Sequence, residues 1–149
     1  MNQDQDTILI TGSNRGIGLE FVKQYIKQNW NVIATCRKPN EADELQSLEK
    51  SNENISILSA DITQQESIDN LSSELDNQPI DILINNAAYL GPPEPQKFGA
   101  IDYEIYTKSF EVNAIGPIRI TEKLIENVRA GKMKKIIFLG SAAGSIAQI

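Results

Sequence analysis

Between a short β-branched run, Thr7 to Thr11, and a helical pattern that starts at Ile17 stands the segment Thr11-Gly12-Ser13-Asn14-Arg15-Gly16-Ile17-Gly18. Three glycines where a strand turns into a helix permit a tight turn, a close approach of backbone to a diphosphate, and close packing of helix on strand. The helix N-terminus adds free N–H groups and a positive dipole. This is chemistry for holding a dinucleotide. Other polar residues close later apolar runs: Asp61 with Ile62 after the third, Asn85-Asn86-Ala87-Ala88 after the fourth, and Ser141 after the fifth. A hydroxyl at such a strand end is suited to hydrogen-bond a carbonyl and the alkoxide that develops when hydride adds to it. Taken alone, Ser141 and nearby Ser145 also suit the capping of a turn. Neither is read as a nucleophile, because no base partner is evident. The chain has no histidine and a single cysteine, Cys36. That removes the commonest general base and zinc ligand and any intrachain disulfide; no metal site is expected.

Charge decides which dinucleotide. A domain selective for NAD places a carboxylate at the end of the second strand, where it accepts hydrogen bonds from the ribose 2′-OH and repels a 2′-phosphate. Here that place holds Cys36, followed by Arg37 and Lys38, with Arg15 in the glycine loop approaching the same corner. Two guanidiniums there can clamp a phosphate, so NADP(H) is expected over NAD(H). A basic pair in a loop is by itself an ordinary solvated surface; the missing carboxylate tips the reading. Asn113 lies on a helical stretch with Pro117 four residues on. Proline has no N–H, so the Asn113 carbonyl loses its intrahelical partner and must find another.

These residues need a frame. Asn31 to Cys36, Ile55 to Ala60, Asp81 to Asn85 and Lys135 to Gly140 continue the series of near-continuous apolar runs begun at Thr7. Between them lie helical patterns: Ile17, Phe21 and Tyr25 with Val22 and Ile26; Leu45 and Leu48; Ile68, Leu71 and Leu75 behind a Thr63–Glu66 capping box; and a long stretch from about Tyr103 to Val128. Strands alternating with helices mean a parallel sheet covered on both faces. Right-handed crossovers give a doubly wound, Rossmann-type α/β sheet of order 3-2-1-4-5, with the ligand site where the winding reverses, at the carboxyl ends of strands one and four. Trp30 and Phe98 are read as packing anchors, and Tyr103 and Tyr106 as bordering the core or a subunit contact.

At 149 residues, 40% hydrophobic and 23% charged, the chain is a single globular domain, with no composition shift that would mark a linker. A net charge of -6 argues against nucleic acid and anionic membranes as partners. The Lys132, Lys134 and Lys135 cluster is too short to change that. No apolar run suits a signal core or a membrane span, so a cytoplasmic location is expected.

The ordered motifs resemble the short-chain dehydrogenase/reductase family, whose glycine motif is Thr-Gly-x-x-x-Gly-x-Gly. Asn85-Asn86-Ala87-Ala88 is similar to the family's Asn-Asn-Ala-Gly, with Ala88 in place of its glycine. The wording Thr-Gly-Ser-Asn-Arg-Gly-Ile-Gly-Leu-Glu and Gly-Ser-Ala-Ala-Gly-Ser-Ile looks most like the C-factor-like branch of carbonyl reductases. The resemblance implies a dinucleotide site of Gly12, Ser13, Asn14, Arg15, Gly16, Ile17, Gly18, Arg37, Asp61, Ile62, Asn85 and Ala87, with Asp61 against adenine. It implies Ser141 and Asn113 as catalytic residues, Asn113 holding a relay water, and a homo-oligomer acting on a small carbonyl or alcohol. The family's proton donor, a Tyr-x-x-x-Lys pair, is expected a dozen or more residues beyond Ser141, whereas the sequence ends at Ile149. The expectation is therefore the N-terminal portion of an NADP(H)-dependent oxidoreductase, its sheet incomplete on the C-terminal side and the 149 residues alone inactive. The alternative is a catalytically silent dinucleotide-binding or signalling module.

Overall fold

A computed structural model describes residues 5–92 and 97–141. The elements run β1 (Thr7–Thr11), α1 (Gly16–Lys27), β2 (Asn31–Cys36), a 3-10 turn (Pro39–Glu41), α2 (Asp43–Ser51), β3 (Ile55–Ser59), α3 (Gln65–Leu75), β4 (Ile82–Asn85), α4 (Tyr103–Phe110), a π-helical turn (Glu111–Ile115), α5 (Gly116–Lys123), α6 (Ile125–Ala130) and β5 (Lys135–Phe138). The strands form one parallel sheet of order β3-β2-β1-β4-β5. This is the doubly wound arrangement expected from the alternation of patterns, and among the described residues β5 pairs only with β4.

The apolar runs are continuous because both faces are covered. Along β1, Ile8 and Ile10 enter a core shared with Val22 of α1 and Leu45 of α2, while Leu9 enters the opposite core with Leu71 of α3, Ile120 of α5 and Leu124 at the end of α5. Each of these side chains is fully buried. Burial stabilises by roughly 1.5–3 kcal/mol per side chain, which fixes the register of β1 against both neighbours. Helix α1 stops where Asn29 takes a left-handed φ of 63°, a conformation asparagine tolerates, and its N–H bonds the Ile26 carbonyl.

Several expectations change. Strands β3 and β5 stop one and two residues short of Ala60 and Gly140, and β4 starts one residue after Asp81. No capping box forms at Thr63: α3 begins at Gln65 without a side-chain cap, and the Thr63 hydroxyl instead donates to Asp61 Oδ1 at 2.7 Å. The Asx turn offers Thr63 a charged acceptor nearer than the helix end. The buried side of α1 centres on Leu19 and Val22, with Phe21, Tyr25 and Ile26 at its border; Ile17 is 67% exposed. Trp30 does pack, edge-on to Tyr25 at 5.0 Å, but Phe98 stands exposed; Tyr103 and Tyr106 are exposed too, which removes the core border from their two expected places. Their apolar character gave no direction for burial. The long helical stretch is three helices and a π turn rather than one rod. Among the described residues no helix is long and apolar enough to cross a membrane, and no group of three His, Cys, Asp or Glu side chains is placed to hold a metal.

Candidate functional site

The carboxyl ends of β1 and β4 meet at the reversal of winding, and the loop between β1 and α1 is tied down there from three sides. The Ser13 hydroxyl donates to the Ile10 carbonyl at 2.7 Å and the Ser13 N–H to the Thr35 carbonyl at 2.9 Å, which anchors the loop to β1 and β2. Thr11 Oγ1 accepts the Asn86 and Ala87 N–H groups, each at 3.0 Å. The Asn86 amide Nδ2 donates to the carbonyls of Thr11 at 2.8 Å and Gly12 at 3.0 Å. Asn86 was missed by the sequence reading. Its signal is an amide doublet beside glycines that leave room for it: a Cβ on Gly18 would stand 2.4 Å from Asn86 Nδ2, and one on Gly12 would stand 2.7 Å from the Ala87 Cα.

This bracing leaves one side of the loop open. Asn14, Arg15, Gly16 and Ile17 are exposed, and a Cβ on Gly16 would meet nothing within 4 Å. Gly12 and Gly16 hold φ of 67° and 58°, the left-handed region that favours glycine. No side chain caps α1 at Arg15 and its first turn has no acidic residue, whereas Asp102 caps α4 through the Glu104 and Ile105 N–H groups. The uncapped α1 end, its dipole and the open glycine face fit an anionic group. Ser13, by contrast, is fully buried with its hydroxyl turned inward, so its part is to shape the loop.

At the end of β2, Lys38 is taken up by Glu41 at 2.9 Å, while Arg37 is exposed and its side chain has no ion pair among the described residues. Cys36 is buried, and burial pushes its thiol pKa up, against a smaller opposing effect of a backbone hydrogen bond from Lys38. The thiol thus stays protonated at neutral pH, and only the thiolate is nucleophilic. Iodoacetamide is expected to modify Cys36 slower in the folded chain than in urea by roughly tenfold or more, followed by intact mass. Equal rates would show a thiol open to solvent.

Asp61 begins the turn after β3. Its N–H donates to Ser67 Oγ at 2.8 Å, and its Oδ1 accepts both the Thr63 N–H and hydroxyl. Ile62 is buried against Gly116, where a Cβ would stand 2.9 Å from its Cδ1. Asn85 points inward as well: Nδ2 donates to Thr121 Oγ1 at 3.1 Å, Oδ1 is buried without a partner among the described residues, and its carbonyl accepts the Leu139 N–H at 3.1 Å. Ala87 is half-buried beside Gly12.

Pro117 acts on the helix as expected from its missing N–H, but the outcome is a π turn. The Gly116 N–H reaches back five residues to the Glu111 carbonyl, and the wider turn carries Asn113. The Asn113 side chain is then committed: Oδ1 accepts the Tyr89 N–H at 2.8 Å and Nδ2 donates to the Tyr89 carbonyl at 2.9 Å. This clamp fixes the segment leaving β4, and Lys108 Nζ lies 4.6 Å over the Tyr89 ring. Ser141 is exposed three residues past the end of β5, beside the strand that carries Asn85. Ser145 lies outside the described residues.

The geometry has counterparts. A curated oxidoreductase of Schizosaccharomyces pombe, itself uncharacterised, is 30% identical over 98% of this chain and 58% of its own length. A carbonyl reductase from Pseudomonas aeruginosa superposes with a TM-score of 0.86 at 30% identity, covering 96% of this chain and 62% of that one. The NADPH-bound carbonyl reductase from chicken fatty liver gives 0.83 at 28%, covering 96% and 60%. The chain thus spans about three-fifths of the length of these relatives. The short chain dehydrogenase family profile matches residues 6–149, and the chain belongs to that family of oxidoreductases.

Proposed function

We propose that this chain forms the NADP(H)-binding part of an oxidoreductase that transfers hydride between NADPH and a carbonyl or alcohol. The observation that carries the reading is the open glycine face before an uncapped α1, with a β2 that ends in Cys36 and passes to an Arg37 whose side chain has no ion pair among the described residues. Neighbouring carbonyl reductases that carry NADPH support the same cofactor. Gly12, Asn14, Gly16, Ile17 and Gly18 would border the diphosphate, with Ser13 shaping the loop; Arg15 and Arg37 would face the 2′-phosphate; Asp61 and Ile62 would receive the adenine; and Asn85 and Ala87 would line the path towards Ser141.

Bound NADPH supplies the hydride. The chain's own contribution is to orient and to manage charge: Ser141 donates a hydrogen bond to the carbonyl oxygen and stabilises the alkoxide as it forms. Because the Asn113 amide is committed to Tyr89, its place in a proton relay falls to the main-chain carbonyl, which Pro117 leaves without its i+4 donor.

Calorimetric titration with NADPH and NADH tests the cofactor. NADPH is expected to bind more tightly. Arg37→Ala should weaken NADPH by about tenfold, the loss of one solvent-exposed charge-assisted contact, and leave NADH within about twofold. Tighter binding of NADH, or an unchanged NADPH affinity in Arg37→Ala, would overturn the assignment. Turnover of NADPH against small aldehydes and ketones by the full-length protein tests the reaction.

A further inference from the structure

Arg119 stands between the two ends of the candidate site. It lies on α5 three residues after Gly116, and its Nη1 donates to the Thr63 carbonyl at 3.2 Å and also pairs with the Glu111 carboxylate. Both charged side chains are about two-thirds buried, 33% and 31% exposed, so their attraction is less screened than that of a surface pair. On one side, Thr63 closes the Asx turn that holds Asp61, and Ile62 packs on Gly116. On the other, Glu111 opens the π turn, and Asn113, two residues on, clamps Tyr89.

One guanidinium therefore joins the turn after β3 to the turn that sets the segment after β4. The anchorage of α5 does not depend on it. Ile120 and Leu124 are fully buried in the core, and Lys123 pairs with Asp69 of α3 at 2.6 Å. Arg119 is thus spare for folding and specific in placement: one nitrogen, Nη1, makes both contacts, and the guanidinium that carries it stays charged at any working pH.

We infer that Arg119 is a positioning residue that couples the adenine end of the dinucleotide site, at Asp61 and Ile62, to the Asn113–Tyr89 clamp; the inference rests on the NADP(H) reading above. Order imposed at Asp61 by a bound nucleotide reaches Thr63 O, then Arg119, then Glu111 and the π turn. Removal of the guanidinium leaves each end formed but uncoupled.

The test uses adenosine 2′,5′-bisphosphate, which carries the adenine, the 2′-phosphate and the first phosphate of the diphosphate but nothing that reaches Tyr89, and amide NMR spectra of the chain. In the wild type the probe should shift the amides of Gly12, Asp61 and, through Arg119, Tyr89. In Arg119→Met the Tyr89 response should vanish while Gly12 still responds, and the Kd for NADPH should rise by about tenfold, within the usual range for coupled sites. Arg119→Lys keeps the charge as a compact ammonium on a shorter side chain, and should restore part of the affinity but not the Tyr89 response. If Arg119→Met does not fold, Glu111→Gln decides, since it keeps the Thr63 contact and removes only the charge of the second partner; it too should blunt the Tyr89 response. A Tyr89 amide that answers the probe equally in Arg119→Met, or that is silent in a wild type that binds, overturns the coupling alone. No binding of the bisphosphate by the wild type overturns the NADP(H) reading and this inference with it.

Discussion

Gly18→Ala is expected to weaken NADPH binding by about a hundredfold or more, equivalent to about 2.7 kcal/mol, and to lower the stability of the free chain by roughly 1–3 kcal/mol. A methyl at this position would stand 2.4 Å from Asn86 Nδ2 and 2.5 Å from the Gly12 carbonyl oxygen. Those two atoms are hydrogen-bonded to each other at 3.0 Å, so the methyl intrudes on the bond that braces the loop. Gly12 cannot retreat towards β4, because its own Cα hydrogens already face Ala87 at a distance that excludes any Cβ. The strain must open the loop, and an opened loop no longer presents its backbone to a diphosphate. Alanine's better helix propensity, about 1 kcal/mol over glycine, offsets part of the stability loss and none of the binding loss. Gly16→Ala is the control for stability: in the free chain its methyl meets open space and adds only the backbone cost of φ 58°, about 1–2 kcal/mol. Denaturation curves and NADPH titrations of both variants check this. An unchanged affinity in Gly18→Ala would mean that the braced loop does not hold the dinucleotide.

How far the sequence carried depended on whether a feature is local. The strands were legible because burial on both faces writes continuous apolar runs such as Ile8-Leu9-Ile10, and their alternation with helices dictates a parallel sheet whose crossovers leave one simple order. The glycine loop was legible because its spacing sits between a strand and a helix. What did not show was any side chain whose partner lies on a distant strand. Asn86 read as one half of an Asn doublet, yet its amide is spent on Thr11 and Gly12, 75 and 74 residues back. Pro117 announced a break in the helix from its chemistry alone, but whether the chain answers with water, a kink or a π turn depends on what Asn113 can reach, and Tyr89 is 24 residues away. Thr63 satisfied a capping pattern with Glu66, and lost to a competitor two residues upstream, the Asp61 carboxylate.

Asp81 belongs with these, and its replacement should cost more stability than any other single polar change in the described structure. It read as the first residue of the fourth strand; instead it is a buried carboxylate, 4% exposed, at the amino ends of three strands. Oδ2 accepts the Thr7 N–H at 2.7 Å, and Oδ1 accepts the N–H groups of Lys132 at 2.6 Å and Met133 at 3.2 Å. Its main chain adds a bond to Thr7 O at 2.8 Å and one from the Lys135 N–H at 3.0 Å. One side chain thereby joins β1 to the entry of β5, two strands that are separated in the sheet by β4. Asp81→Ala strands three backbone donors, and with about 1–3 kcal/mol for each unpaired buried group, reduced where water can enter at exposed Lys132, the expected loss is about 3–5 kcal/mol. Asp81→Asn should recover only part of this, since an amide offers one acceptor oxygen where two are used. Urea denaturation should show the midpoint falling with the slope unchanged. The candidate site lies at the opposite, carboxyl end of the same strands, so NADPH affinity of the folded fraction should stay within about twofold in both variants. A loss below about 1 kcal/mol in Asp81→Ala would mean that water replaces the carboxylate at no cost, and the junction of β1 with β5 would then rest on the sheet's own ladder.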